Sequence, residues 1–161
     1  FFTRVRTPEL MTPRRYLRPI LILVPFVTTA CAGLTVSEPS TPVSESMATV
    51  WDGVFSQEQA AEGAAQYESA CLACHSADLR GSSTSPSLVG SGFLFFWQDK
   101  PLSELFTTIQ TRMPTDAPNS LPIRTYLNIL SYILEANEFP AGGSDLLDPA
   151  ALRQIIITAK S

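Results

Sequence analysis

Apolar residues recur at helical spacing along three stretches of the chain. The sequence Ser56-Gln57-Glu58-Gln59 is a capping box with Ser56 at the N-cap, and the positions after it predict a helix that runs up to Cys71. A second helix is predicted over residues 101–110, where the apolar side chains fall on one side. The positions that define these helices are Ala60, Gly63, Ala64 and Tyr67 in the first and Leu102, Leu105, Phe106 and Ile109 in the second.

A third helix is predicted over residues 122–136. Ser120 is its expected N-cap, Pro122 lies in its first turn, and Asn137 and Pro140 end it. Its apolar residues have i, i+3, i+4 and i+7 spacing, which gives one apolar face: Ile123, Tyr126, Leu127, Leu130, Ile133 and Leu134. The pattern therefore predicts an all-α domain.

The N-terminal part of the chain has the order of a secretory signal peptide. Met11 is the expected start, and three arginines then precede the apolar run of residues 20–27 and a group of small residues. The run is too short to span a bilayer, which takes ~20 residues. We therefore divide the chain into an upstream extension and signal peptide (1–31), a Ser/Thr/Pro-rich linker (32–50), a folded domain (51–142) and a C-terminal extension (143–161). Residues 155–157 in that extension could pair as an edge strand or pack on the core.

The end of this signal offers two alternative cleavage sites. Ala30-Cys31-Ala32 offers an A-x-A site, whereas Thr28-Thr29-Ala30-Cys31 resembles a bacterial lipobox, although Thr28 stands where Leu is usual. In the second case Cys31 would be lipidated and would tether the domain to a membrane. In the first case the linker would be the free N-terminus of an exported protein.

The charge of the chain changes sign after the signal. Residues 1–31 contain five arginines and one glutamate, whereas the residues from Ala32 onward contain six Lys or Arg and fourteen Asp or Glu, a net formal charge of −8. This balance argues against a nucleic-acid partner, which needs a basic surface. The acidic charge could steer the protein electrostatically towards a basic docking surface on a partner. The alternative is that it serves only solubility.

The sequence Cys71-Leu72-Ala73-Cys74-His75 has the C-x-x-C-H pattern of covalent attachment of a c-type haem. Two thiols three positions apart on a helical turn lie on one face, where they can reach two neighbouring vinyl groups of one porphyrin. His75 can then offer a neutral imidazole nitrogen to the iron. The chain has one histidine and three cysteines, and the histidine directly follows the C-x-x-C.

Three other interpretations of the motif fit less well. A zinc site would need a fourth ligand and usually a second Cys/His pair. A thioredoxin-like redox pair would need alternating strands and helices around it. A disulfide between Cys71 and Cys74 would close a very tight loop and would leave His75 unexplained.

Met113 is the predicted sixth ligand of the iron. The other methionines are Met11 in the signal and Met47 in the linker, so Met113 is the only one inside the domain. Because it precedes Pro114, its backbone is expected to be extended and loop-like. A thioether on such a loop would favour ferrous iron and raise the reduction potential.

The segment with Gly63 and Tyr67 before the haem motif resembles the first helix of class I cytochromes c. The resemblance implies a cytochrome c fold, in which three to five short helices surround one covalent haem. It also implies that Gly63 and Tyr67 pack against the last helix, where the matching positions are Ile129 and Tyr132.

The sequence Pro86-Ser87-Leu88-Val89-Gly90 resembles the P-x-L-x-G segment that follows the haem motif in this family. The resemblance implies that the Pro86 carbonyl accepts a hydrogen bond from Nδ1 of His75 and that Leu88 packs on the haem edge. Phe93, Phe95, Phe96 and Trp97 are expected to lie mostly in the core around the haem, and Trp97 could donate to a propionate.

The stretches after Met113 and after Tyr126 are similar to those of bacterial cytochromes c that are often encoded beside quinoprotein (PQQ) dehydrogenases. The resemblance implies a one-electron carrier in the periplasm of a Gram-negative bacterium, with a dehydrogenase or a terminal oxidase as redox partner. The sequence contains no recognisable acid–base pair or activated nucleophile, so independent catalysis by this chain is not expected. Two alternatives stay open, a dedicated cytochrome subunit of a quinoprotein dehydrogenase and a haem-based gas-binding or sensor domain.

Overall fold

The computed structural model describes residues 47–160, and the predicted signal, Cys31 and most of the linker lie outside them. The described part contains five α-helices and two very short strands. In chain order the elements are β1 (Ala48–Thr49), α1 (Gln57–Ala70), α2 (Leu72–His75), α3 (Gly90–Trp97), α4 (Leu102–Arg112), α5 (Ile123–Ala136) and β2 (Ile155–Ile156), with 3-10 turns at Val50–Asp52 and Ala151–Gln154. Within these residues no helix is long and apolar enough to cross a membrane.

Helices α1 and α5 cross at Gly63, which allows their backbones to approach closely. A methyl group at this position would lie 2.5 Å from the carbonyl carbon of Asn128 and 3.0 Å from Cβ of Tyr132. One turn further on, the rings of Tyr67 and Tyr132 pack with their centroids 5.3 Å apart. The packing of Tyr67 on Tyr132 agrees with the prediction, whereas the backbone at Asn128 takes the place expected for Ile129 beside Gly63.

Helix α1 begins as predicted, but one half of its capping box is used differently. The Ser56 hydroxyl accepts a hydrogen bond from the Gln59 backbone N–H at 3.0 Å. The Gln59 side chain turns inward, donating to the Asn128 side chain and to the Leu146 carbonyl, and it accepts from the Leu146 N–H. It therefore joins α1 to α5 and to the C-terminal segment.

Helix α5 forms the centre of the core, and Tyr126 to Ser131 are all buried in it. Its start differs from the prediction. Pro122 is the N-cap with an extended backbone (ψ 147°), no side chain caps the helix, and Ile123 is 51% exposed. Pro122 fixes φ at the helix boundary, and the first N–H groups of α5 receive no side-chain cap, so the hydroxyl expected from Ser120 is not used.

Both ends of the described chain join the same core. Strands β1 and β2 pair in parallel, with Ala48 opposite Ile155. Apolar side chains from the region beyond residue 142 are buried, namely Leu146, Leu152, Ile155 and Ile157. Ile155 and Ile156 thus pair as a strand, and Ile155 and Ile157 pack on the core. The core therefore includes residues on both sides of the range 51–142.

Asp145 attaches this C-terminal segment to two helices. Its carboxylate accepts hydrogen bonds from the Ser56 hydroxyl and from Arg124, the latter at 2.7 Å. These two side-chain hydrogen bonds lower the pKa of Asp145 from its usual value, and the bond from Ser56 has the larger effect.

Candidate functional site

The two cysteines of the C-x-x-C-H motif lie on one helical turn after a break in the helix. Cys71 ends α1 with a non-helical backbone (φ −127°, ψ −28°), and its N–H still donates to the Tyr67 carbonyl at 2.8 Å. The Cys71 carbonyl then accepts from the N–H groups of Cys74 and His75, which closes the single turn of α2. Both thiols are free, that of Cys71 half-buried and that of Cys74 exposed.

His75 is buried and its ring is oriented by a carbonyl. Its Nδ1 lies 3.1 Å from the carbonyl oxygen of Pro86, and this is the ring's one hydrogen bond within residues 47–160. A carbonyl oxygen can only accept, so Nδ1 carries the proton and Nε2 keeps its lone pair. This contact is the one that the family resemblance implies, and it leaves Nε2 free of any protein hydrogen bond within residues 47–160.

The loop between His75 and α3 is fixed by several backbone hydrogen bonds. The Gly81 N–H donates to the His75 carbonyl at 3.0 Å, and the Leu88 N–H donates to the Leu79 carbonyl at 2.8 Å. Gly81 has a positive φ of 75°, and a side chain there would collide with the Pro86 backbone, so a glycine is required. The loop therefore returns Pro86 to His75 with a defined geometry.

Met113 follows the last residue of α4 and has an extended backbone (φ −126°, ψ 149°), which confirms the effect expected from Pro114. Its side chain is half-buried and packs against the core. The Tyr126 hydroxyl donates to the Met113 carbonyl at 2.9 Å and accepts from the Leu121 N–H at 3.3 Å. The sequence pattern predicts Tyr126 only as a core residue, yet its hydroxyl positions the backbone of the predicted sixth ligand.

The aromatic cluster of α3 is not buried as a unit. Phe93 is fully buried, but Phe95 is 83% and Phe96 51% exposed, so the expectation that most of the cluster lies in the core is wrong for these two. Consecutive residues of an α-helix point about 100° apart, and one buried face cannot take them all. Leu88 and Trp97 are half-buried against the core, and the Lys100 ammonium lies 5.3 Å from the Trp97 ring.

The Cys71 thiol and the Tyr67 hydroxyl are uncharged at neutral pH. Burial raises the pKa of the Cys71 thiol to about 11, and the neighbouring Cys74 adds to the increase. Burial likewise raises the pKa of the Tyr67 hydroxyl above its usual range. The Tyr67 hydroxyl donates to the Ser76 carbonyl at 2.7 Å, which connects α1 to the residue after His75.

These residues fit a covalently attached haem better than a protein-bound metal ion. Within residues 47–160, no group of three or more His, Cys, Asp or Glu side chains lies together as a candidate ion site. Two free thiols on one turn lie beside an imidazole whose tautomer leaves Nε2 free. The roles of Cys71, Cys74, His75, Met113, Pro86, Leu88 and Trp97 towards a haem stay predictions.

Comparisons with known proteins bear on the same part of the chain. Residues 58–133, which include all seven predicted site residues, match the family model described as cytochrome c oxidase, cbb3-type, subunit III. Among solved structures, the crystal structure of the sulfane dehydrogenase SoxCD from Paracoccus pantotrophus is similar with a TM-score of 0.49 and 19% identity, over 77% of this chain and 68% of that chain. A comparison with curated proteins gave no match. The all-α prediction is confirmed, and the match to a cytochrome c family model covers residues 58–133, a little less than half of the chain.

Proposed function

We propose that this protein is a one-electron carrier with a single haem c. Cys71 and Cys74 would hold the haem covalently, and His75 and Met113 would ligate its iron. The observation that carries the proposal is the 3.1 Å contact between Nδ1 of His75 and the Pro86 carbonyl, directly after two free thiols on one helical turn. That arrangement would leave Nε2 free to ligate the haem iron.

Each residue has a distinct task in this proposal. A haem c bound here supplies a one-electron couple between ferrous and ferric iron. The Pro86 carbonyl keeps the proton of His75 on Nδ1 and raises the basicity of Nε2. The thioether of Met113 is a soft ligand, and Tyr126 fixes the backbone from which it extends. Leu88 and Trp97 supply apolar contact beside these ligands.

The first test is the mass and visible spectrum of the exported full-length protein, made in a host that matures c-type cytochromes. We expect the mass of one added haem, no titratable thiol at Cys71 or Cys74, and a low-spin spectrum. Protein of apo mass with both thiols titratable would refute the proposal. Two or more haems per chain would also contradict it.

The second test separates Met113 from the exposed Met47 (50% exposed), which serves as a matched control. In Met113→Ala we expect loss of the far-red charge-transfer band of methionine-bound ferric haem and rapid carbon monoxide binding, whereas Met47→Ala should behave as the wild type. If the wild type itself binds carbon monoxide readily at neutral pH, the gas-binding alternative replaces the electron carrier.

We further propose that the carrier works in the periplasm with an oxidoreductase as its partner. The matching family model is described as a subunit of a cytochrome c oxidase, which supports electron transfer to or within such a complex. The quinoprotein dehydrogenase subgroup rests on the sequence resemblance alone. Co-purification from periplasmic and membrane fractions tests the partner, and Cys31→Ser tests the lipid tether, because it should release a membrane-bound form.

A further inference from the structure

The side chain of Asn137, at the C-terminal end of α5, forms hydrogen bonds to two alternate residues of the loop after the haem motif. Its amide nitrogen donates to the Leu88 carbonyl, and its amide oxygen accepts from the Gly90 N–H, both at 2.9 Å. The same nitrogen donates to the Ile133 carbonyl at 2.8 Å. Both donor hydrogens are thus used, and the two ends of the amide fit only in this orientation.

These bonds complete the attachment of the segment that carries Pro86. The Leu88 N–H already donates to the Leu79 carbonyl, so the Asn137 bond fixes the other side of the same residue. Pro86 is two residues earlier in the chain, and its carbonyl meets Nδ1 of His75 at 3.1 Å. Release of Leu88 and Gly90 would leave the segment attached on one side only.

We propose that Asn137 is a positioning residue for the proximal ligand, because it holds residues 86–90 where the Pro86 carbonyl can accept the hydrogen bond from Nδ1 of His75. This inference rests on the proposed haem function. A hydrogen bond to Nδ1 raises the basicity of the coordinating nitrogen and so favours ferric iron. Without Asn137 that bond weakens, and the reduction potential rises.

A purely structural role for Asn137 makes a different prediction. Its side chain and its backbone N–H both reach the last carbonyls of α5, so it also caps that helix. Loss of a cap lowers stability but leaves the potential unchanged. Asn128 is the matched control, because its buried side chain also joins α5 to another element, through hydrogen bonds with Gln59 and Glu62 on α1.

The experiment compares the full-length holoproteins of the wild type, Asn137→Ala, Asn137→Gln and Asn128→Ala. Three quantities are measured: the midpoint potential, the hydrogen-exchange rate of the His75 Nδ1 proton by NMR of the reduced protein, and urea stability. We expect a higher potential and faster exchange in Asn137→Ala and partial rescue in Asn137→Gln. Asn128→Ala should lose stability with the potential and the exchange rate of the wild type.

Two failures are distinguishable. A wild type without covalent haem refutes the proposed function, whereas a haem-loaded Asn137→Ala with the potential and exchange rate of the wild type overturns the role of Asn137. A potential that shifts equally in Asn137→Ala and Asn128→Ala would also overturn it, because the effect would then follow stability. If Asn137→Ala does not load haem, Asn137→Ser, which keeps one short polar group, decides between the same outcomes.

Discussion

Replacement of Gly63 by alanine sets two effects of known size against each other. In an exposed helix interior the change would stabilise α1 by about 1 kcal/mol through helix propensity. Here the new methyl group would lie 2.5 Å from the carbonyl carbon of Asn128, about 1 Å closer than ordinary contact between carbon atoms. No rotamer relieves this contact, because both partners are fixed to a backbone, so α1 and α5 must move apart. Overpacking of a core typically costs about 1–3 kcal/mol, and this backbone contact should lie at the upper end, so we expect a net loss of about 2 kcal/mol.

Urea unfolding of the holoprotein measures this loss by linear extrapolation. Ala65→Gly, on the exposed side of the same helix, is the control, since it should report propensity alone and cost about 1 kcal/mol. The difference between the two variants then isolates the steric term. A Gly63→Ala protein as stable as the wild type would show that α1 and α5 do not cross this closely, and the reasoning from the helix crossing would be wrong.

Three further outcomes follow from single side chains. Tyr126→Phe removes a buried hydroxyl with two hydrogen bonds, so we expect a loss of about 1–2 kcal/mol in urea unfolding and tighter binding of added imidazole at the position proposed for Met113. Asp145 has a lowered pKa in the folded state, so its stabilisation is present above about pH 4 and is lost as the pH falls further. The melting temperature of Asp145→Asn should therefore lie below that of the wild type at pH 7 and converge with it in acid. Ile157→Ala, at a fully buried position, should cost about 2–5 kcal/mol, whereas Leu147→Ala, 68% exposed, should change stability by less than about 0.5 kcal/mol; equal effects would place the C-terminal segment outside the cooperative core.

The helices and the motif can be predicted from the sequence because each depends on residues close together in the chain. Helical spacing identifies α1, α4 and α5, and the spacing of Cys71, Cys74 and His75 identifies the candidate attachment site. The extended backbone of Met113 follows from Pro114 in the same way. Local rules are sufficient wherever the determining residues lie within one turn of each other.

The errors arise where the outcome depends on distant residues. Phe95 and Phe96 are as apolar as Phe93, and only the position of α3 on the core decides that Phe93 alone is buried. Residues 155–157 show no periodicity, and their partner strand lies about a hundred positions earlier in the chain. The sequence identifies Asn137 as a helix stop, but its hydrogen bonds to the loop after His75 cannot be derived from a capping rule.

Helix α5 connects the separate segments of the proposed site, although it supplies no ligand itself. Its Tyr126 fixes the backbone of Met113, and Asn137 at its end fixes the loop that orients His75. These two residues are eleven positions apart, about 16 Å along a helix, so one rigid element spaces the segments of the two proposed ligands. The crossing at Gly63 attaches α1, which leads into the cysteines, to the same helix. Because all three attachments meet on one element, α5 helps to fix the segments of the proposed ligands, as one-electron transfer with little reorganisation would require.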